Sequence, residues 1–146
     1  MQLRSIATAA VAVSLLAGCD PTGDDVVGPE GGVVVSRDGR LTLDIPAGAL
    51  TDDVEITIEP ADDLPEGALG PAYRVLPVGT VFEAPVAVMY DYGAMGMEVD
   101  VRDIELVAHG ASEWSRLADR SLWEDEEIVS ATALYLSTFC VVLRDQ

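Results

Sequence analysis

Leu41-Thr42-Leu43-Asp44-Ile45 and Val54-Glu55-Ile56-Thr57-Ile58-Glu59 put an apolar side chain at every second residue, with Thr, Asp and Glu between. Successive side chains of an extended chain leave opposite faces, so a period of two describes a strand with one face buried and one wet. The same reading covers "VVVS" (33–36), "YRVLPV" (73–78), "PVAVMYDY" (85–92), "DIELVAH" (103–109), "SEWSRL" (112–117), "EEIVSATAL" (126–134) and "LSTFCVVL" (136–143), each bounded by Gly, Pro or acidic turn residues. No stretch after residue 19 sustains a helical period. Short strands separated by close turn signals predict an all-β chain, with antiparallel sheets packed face to face as a β-sandwich. A length of 146 residues suits one such core.

The beginning of the chain has a different character. Arg4 precedes an uncharged run from Ser5 to Gly18, too short to cross a bilayer, and the arrangement is that of an export signal. The run ends Leu16-Ala17-Gly18-Cys19, which resembles the lipobox of bacterial lipoproteins. The resemblance implies that residues 1–18 are a removed leader, that Leu16, Ala17 and Gly18 are read by the processing enzyme, and that the Cys19 sulfur receives a diacylglycerol. Acylation of the new amino group commonly follows, so palmitate-like chains are expected there. Two or more chains hold a protein durably at a membrane where one holds it marginally. The expected product is membrane-anchored and extracytoplasmic, without a spanning segment. The alternative is an ordinary secretory leader with a Cys at its cleavage site. Asp20 resembles the inner-membrane retention signal of enteric lipoproteins; inner and outer membrane both stay open. "DPTGDDVVGPE" (20–30) reads as a flexible tether, so the expected organisation is leader 1–18, anchor and tether 19–30, and folded domain 31–146.

Lipid on Cys19 leaves Cys140 without a partner in the chain. Between Phe139 and Val141-Val142, Cys140 is expected to be a buried small hydrophobe, with an intermolecular disulfide as the alternative. Charge excludes other classes. With 8 basic against 26 acidic residues the formal net charge is −18, so binding nucleic acid through phosphates is excluded. The chain has no Lys and no Asn, which removes Schiff-base chemistry, a phosphate-loop lysine and N-glycosylation.

"GPEGGVVVSRDGRLTLDIPAGALTDDVEITIEP" (28–60) carries a second resemblance. Its Gly-Gly, strand, Gly turn, Ile45-Pro46-Ala47-Gly48-Ala49-Leu50 and following strand resemble the opening of the ZU-five domain, a β-sandwich of ankyrins, zonula occludens proteins and Unc-type netrin receptors. The order of Pro, Gly, aromatic and Pro in "YRVLPVGTVFEAPVAVMYDY", then Trp114 and "LSTFCVV", continues it. The resemblance implies a protein-interaction or scaffold module. In some members a His-Phe-Ser triplet cleaves itself, the serine attacking the preceding carbonyl with the histidine as base. The matching triplet here is Tyr135-Leu136-Ser137, and a phenol with a pKa of about 10 is a poor base at neutral pH. Self-cleavage is therefore disfavoured, and Ser137 is expected to bond to backbone.

The remaining chemistry is sparse. His109, the only histidine, has neither a "GxSxG" nor a "HExxH" motif beside it. Among so many carboxylates, pairs at glycosidase spacing arise by chance. Zinc is disfavoured by one His and one free Cys. Ca²⁺ is the one metal to weigh, at Asp52 with Asp53, Asp62 with Asp63, Asp100 with Asp103, or Glu124-Asp125-Glu126-Glu127, none with EF-hand spacing. No resident cofactor is expected. The sequence thus leads to a non-catalytic, lipid-anchored, extracytoplasmic sandwich of the cell envelope that binds a protein or peptide. A Ca²⁺-dependent glycan or envelope binder and a self-cleaving protein are the alternatives. Trp123, beside the acidic run, is either a docking side chain or a core tryptophan.

Overall fold

The alternating segments become strands because pairing them buries one side chain in two. The computed structural model describes residues 24–93 and 100–144. Eleven strands follow in order: β1 Asp24–Val27, β2 Gly32–Val35, β3 Leu41–Ile45, β4 Val54–Ala61, β5 Ala72–Leu76, β6 Val81–Asp91, β7 Ile104–His109, β8 Trp114–Arg116, β9 Ala118–Trp123, β10 Ile128–Tyr135 and β11 Thr138–Leu143. They form two antiparallel sheets, β1-β4-β5-β11-β7-β8 and β2-β3-β6-β10-β9. This is the expected β-sandwich, and the described residues contain no α-helix, only short 3₁₀ turns at Val101–Asp103 and Glu124–Glu126.

The core lies between the sheets and is built from the predicted faces: Leu41, Leu43 and Ile45 of β3, Ile56 and Ile58 of β4, Val86, Val88 and Tyr90 of β6, and Phe139 and Val141 of β11. Each fully buried side chain of this size contributes roughly 1.5–3 kcal/mol. The turn after β3 follows from its residues. Pro46 cannot donate to a ladder, Gly48 takes φ +85°, and Leu50 returns to the core. Gly31 is constrained twice over, by φ +80° and by the Ile45 carbonyl oxygen, which a Cβ would strike.

Two strands differ from the sequence reading. Residues 24–27 belong to β1 rather than to a tether: they pair with β4 from Asp24↔Thr57 to Val27↔Val54, and Val27 is buried. The Pro- and Asp-rich surroundings of Val26-Val27 hide a pairing that only the edge of β4 supplies. The sequence pattern does not predict β9 either. "ADRSLW" does not alternate, and a register shift against β10 with Asp119 at φ +55° marks a bulge.

β8 and β9 are one stretch of chain used by both sheets. Trp114–Arg116 pairs with β7, Leu117 N donates to Leu106 O at 3.0 Å, and from Ala118 the strand pairs with β10. The Arg120 side chain fills the corner where this strand leaves β7. Its Nε donates to Ile104 O at 2.6 Å, and one terminal nitrogen donates to Arg102 O at 2.8 Å and Val101 O at 3.3 Å. Glu105, nearly buried, lies 4.0 Å from Arg120 Nε and 3.8 Å from Arg144 Nε.

Candidate functional site

Where the β8–β9 stretch crosses from one sheet to the other, the layers part and leave a cleft of about 340 Å³. Ala108, Ala133 and Phe139 give it an apolar floor, and Arg116, Asp119, Leu134 and Tyr135 line it nearer the surface. A second irregularity makes the rim. The register of β10 against β6 shifts between Ala133 and Tyr135, where Tyr135 pairs with Val81. Alternation breaks there, so Leu134 and Tyr135 are both exposed, at 58% and 41%, while Leu136 and Ser137 are both buried. Val78 and Val81, also exposed, belong to the same end of the molecule. Arg116 forms no ion pair among the described residues, and Asp119 accepts from Thr132 Oγ1 at 3.0 Å. The cleft can take an apolar side chain and offers one cationic and one anionic group beside it.

The triplet Tyr135-Leu136-Ser137 is thereby dispersed. Tyr135 lies at the surface, Leu136 in the core, and the buried Ser137 hydroxyl donates to the backbone carbonyl of His109. The ring of His109 is engaged elsewhere, edge-on to Trp114 with centroids 5.0 Å apart and Nε2 3.6 Å from Asp63 Oδ2.

A wider cleft of about 560 Å³ lies beside β4 beyond the last residue that β1 covers, lined by Ser36, Arg37, Asp38, Glu59 and Tyr73 among others. Its acidic groups are already engaged. Asp38 accepts from Ser36 Oγ at 2.7 Å, Arg40 N at 3.1 Å and the Tyr73 hydroxyl, and Glu59 pairs with Arg74 at 3.2 Å. Burial pushes the Asp38 carboxyl up, but these hydrogen bonds and the Arg40 charge outweigh it and hold the group below its ordinary value. Burial, then the bond to Asp38, raise Tyr73. Sequence reasoning missed this cluster because Tyr73 of β5 lies 35 residues from the β2–β3 turn that carries Ser36, Asp38 and Arg40.

The acidic candidates are spread over the surface. Asp52 and Asp53 occupy the β3–β4 turn, Asp62 and Asp63 the β4–β5 loop, and Glu124–Glu127 the β9–β10 turn, all exposed. Asp100 instead caps the 3₁₀ turn through Arg102 N at 3.0 Å, with Asp103 half-buried inside it. Among the described residues no three His, Cys, Asp or Glu side chains gather as a metal site would require. Cys140 is buried with Val107, Val142 and Ala72 on the outer face of the six-stranded sheet, its thiol pushed up to about 11 by burial. Sγ lies 3.5 Å from the Gly70 carbonyl of the β4–β5 loop. Trp123 is 45% exposed at the end of edge strand β9. Leu16, Ala17, Gly18, Cys19 and Asp20 lie outside the described residues. No protein-family model matches this chain, and no curated protein matches its sequence.

Proposed function

We propose that this chain is a lipid-anchored, extracytoplasmic, non-catalytic β-sandwich of the bacterial envelope, ZU-five-like, which recognises a protein or peptide through the cleft beside Tyr135. The observation that carries the reading is the fate of the triplet. The one hydroxyl matching a self-cleaving serine donates its hydrogen bond to a backbone carbonyl, and Tyr135 lines an apolar-floored cleft instead of serving Ser137 as a base. Apolar floors with a few flanking polar groups are the usual form of a recognition pocket. The lipid-anchor part is supported by the export-signal pattern that ends Leu16-Ala17-Gly18-Cys19. The Pro46 stop and the Gly48 turn support the ZU-five part.

Two measurements test this. Mass spectrometry of the exported protein should show a chain starting at lipidated Cys19, and C19S should lose the lipid. The lipidated protein should retain a partner from membrane extracts that a Leu134→Asp, Tyr135→Ser variant of unchanged melting temperature does not. Equal retention by both proteins refutes the role of the cleft.

A further inference from the structure

We propose that β2 pairs antiparallel with β2 of a second copy of this chain, joining two five-stranded sheets into one across a two-fold axis. The cleft beside Tyr135 lies towards the β9 edge of that sheet, so the dimer depends on neither the cleft nor the anchor.

An open strand edge invites another strand, and proteins blunt their edges with charge, Pro or bulges. Three of the four edge strands among the described residues are blunted. β1 carries Asp24 and Asp25, β8 ends in Arg116, and β9 carries Arg120 and is bulged at Asp119. The fourth, β2, is Gly32-Val33-Val34-Val35, with no charge, no Pro and an unbroken register against β3. Ser36 N donates to Leu41 O at 2.8 Å, continuing the ladder that sets Val34 opposite Leu43 and Gly32 opposite Ile45. Alternate residues of an antiparallel strand bond to opposite sides, so the N–H and C=O groups of Val33 and Val35 point away from β3. Their side chains stand on the outer face, 55% and 39% exposed, while Val34 is buried.

Symmetry and charge name the occupant. One register engages every outward group of both strands: Val33 opposite Val35 of the second copy, and Val35 opposite its Val33. A shift of two residues either way would recruit Gly31, which has φ +80° and already donates to Gly28 O, or Arg37 in the β2–β3 turn. In the full register each exposed Val meets another Val, and Asp44, beside Val33, looks along a row continued by Val35 and Thr42 of the second copy, so no like charges oppose each other. The two ends of β2 are oppositely charged. At its start the Glu30 and Asp53 carboxylates converge on the side of Gly28 where a Cβ would stand; at its end is Arg37. None of these three forms an ion pair among the described residues. Antiparallel pairing sets Arg37 opposite Gly31 of the second copy, beside that copy's acidic pair, and the two-fold axis repeats the contact. Charges farther apart than about 8 Å are screened at physiological salt, so these strand ends, rather than the net charge of −18, govern the approach.

The exported full-length protein, oxidised at high concentration, tests the register. Copies bearing Val33→Cys mixed with copies bearing Val35→Cys should form disulfide-linked dimers several-fold faster than either variant or the parent alone. Opposed residues have Cα atoms about 5.5 Å apart, within bridging distance, whereas like positions lie diagonally, beyond about 7 Å. The native Cys140 is buried and does not compete. By sedimentation equilibrium the parent should dimerise and Val33→Pro should be monomeric with unchanged Tm, since Pro removes an N–H that only the second copy uses. Val33→Glu serves the same purpose if Pro disturbs the fold. Arg37→Glu should weaken the dimer several-fold, and adding Glu30→Arg should restore it. A parent that stays monomeric, with the mixture cross-linking no faster than its components, overturns the proposal. A dimer that survives both Val33→Pro and Val33→Glu overturns it too, because another surface then holds the copies together. So does a photoreactive label on Val33→Cys that captures a different polypeptide in cells, which would give the edge to another partner's strand.

Discussion

Replacing Arg120 by Ala should lower stability markedly. β7 loses its neighbour where the chain turns from β8 into β9, and the guanidinium supplies the donors that a strand would have given. The bond to Ile104 O, at 2.6 Å and partly buried, joins a charged donor to a carbonyl and is worth about 1.5–3 kcal/mol. The bond to Arg102 O is exposed and that to Val101 O is long, so water replaces both at little cost. Glu105, whose side chain is only 9% exposed, would keep Arg144 at 3.8 Å but lose its second cation, which adds about 1 kcal/mol after allowance for the distance of 4.0 Å. The sum is about 2.5–4 kcal/mol. For a domain of this size 1 kcal/mol moves Tm by about 3–6 °C, so a fall of roughly 10 °C is expected by calorimetry. Arg120→Lys keeps the charge but not the fork, and should fall about halfway. Adding Glu105→Gln to Arg120→Ala should restore about 1 kcal/mol. A Tm within about 2 °C of the parent would refute the bracing role, and full rescue by Glu105→Gln would show that burial of charge, not the orphaned carbonyl, sets the cost.

Asp38 titrates below its ordinary value in the folded chain, so its contribution is present above the unfolded carboxylate pKa of about 3.9 and is lost as pH falls through the lowered folded value. Asp38→Asn should flatten the acid limb of urea-derived stability below about pH 4, and an unchanged limb refutes the assignment. The Cys140 thiol, raised to about 11, should resist a thiol reagent at neutral pH in the native protein and react once urea unfolds it. Its share of stability is present below the unfolded thiol pKa and lost as pH rises towards 11; prompt stoichiometric labelling of folded protein contradicts this. Ser137→Ala should cost about 1 kcal/mol by leaving the His109 carbonyl without its donor, with a single full-length band on electrophoresis before and after. Two fragments meeting before Ser137 in the parent, abolished by the substitution, would establish self-cleavage instead. Millimolar Ca²⁺ should leave Tm unchanged, and a rise of several degrees would reveal a cation site.

The legible part of the fold is the part in which one strand's own pattern suffices. Leu41-Leu43-Ile45 and Val129-Ala131-Ala133 alternate, and each set is buried. β1 was illegible because two valines among Asp, Gly and Pro have no period of their own; the partner strand, 27 to 33 residues further along, makes them a strand. β9 hid behind its bulge, where Asp119 interrupts the alternation. The same division holds for the sites. Burial of Cys140 was readable from Phe139, Val141 and Val142. The acceptor of the Ser137 hydroxyl lies 28 residues away, and the bond from Tyr73 to Asp38 joins residues 35 apart, so neither leaves a trace in local sequence. The cleft depends on two register shifts, and register is a property of pairs of strands rather than of either strand alone.

The passage of one strand through Leu117 from the first sheet to the second bears on cooperativity. The amide of Leu117, bonded to Leu106, and the residues after it, paired with Ser130 and Thr132, are joined by a single peptide link, so opening on one side displaces the other. Hydrogen exchange along β7, β8, β9 and β10 should therefore converge on a single opening free energy, and the two layers should melt together.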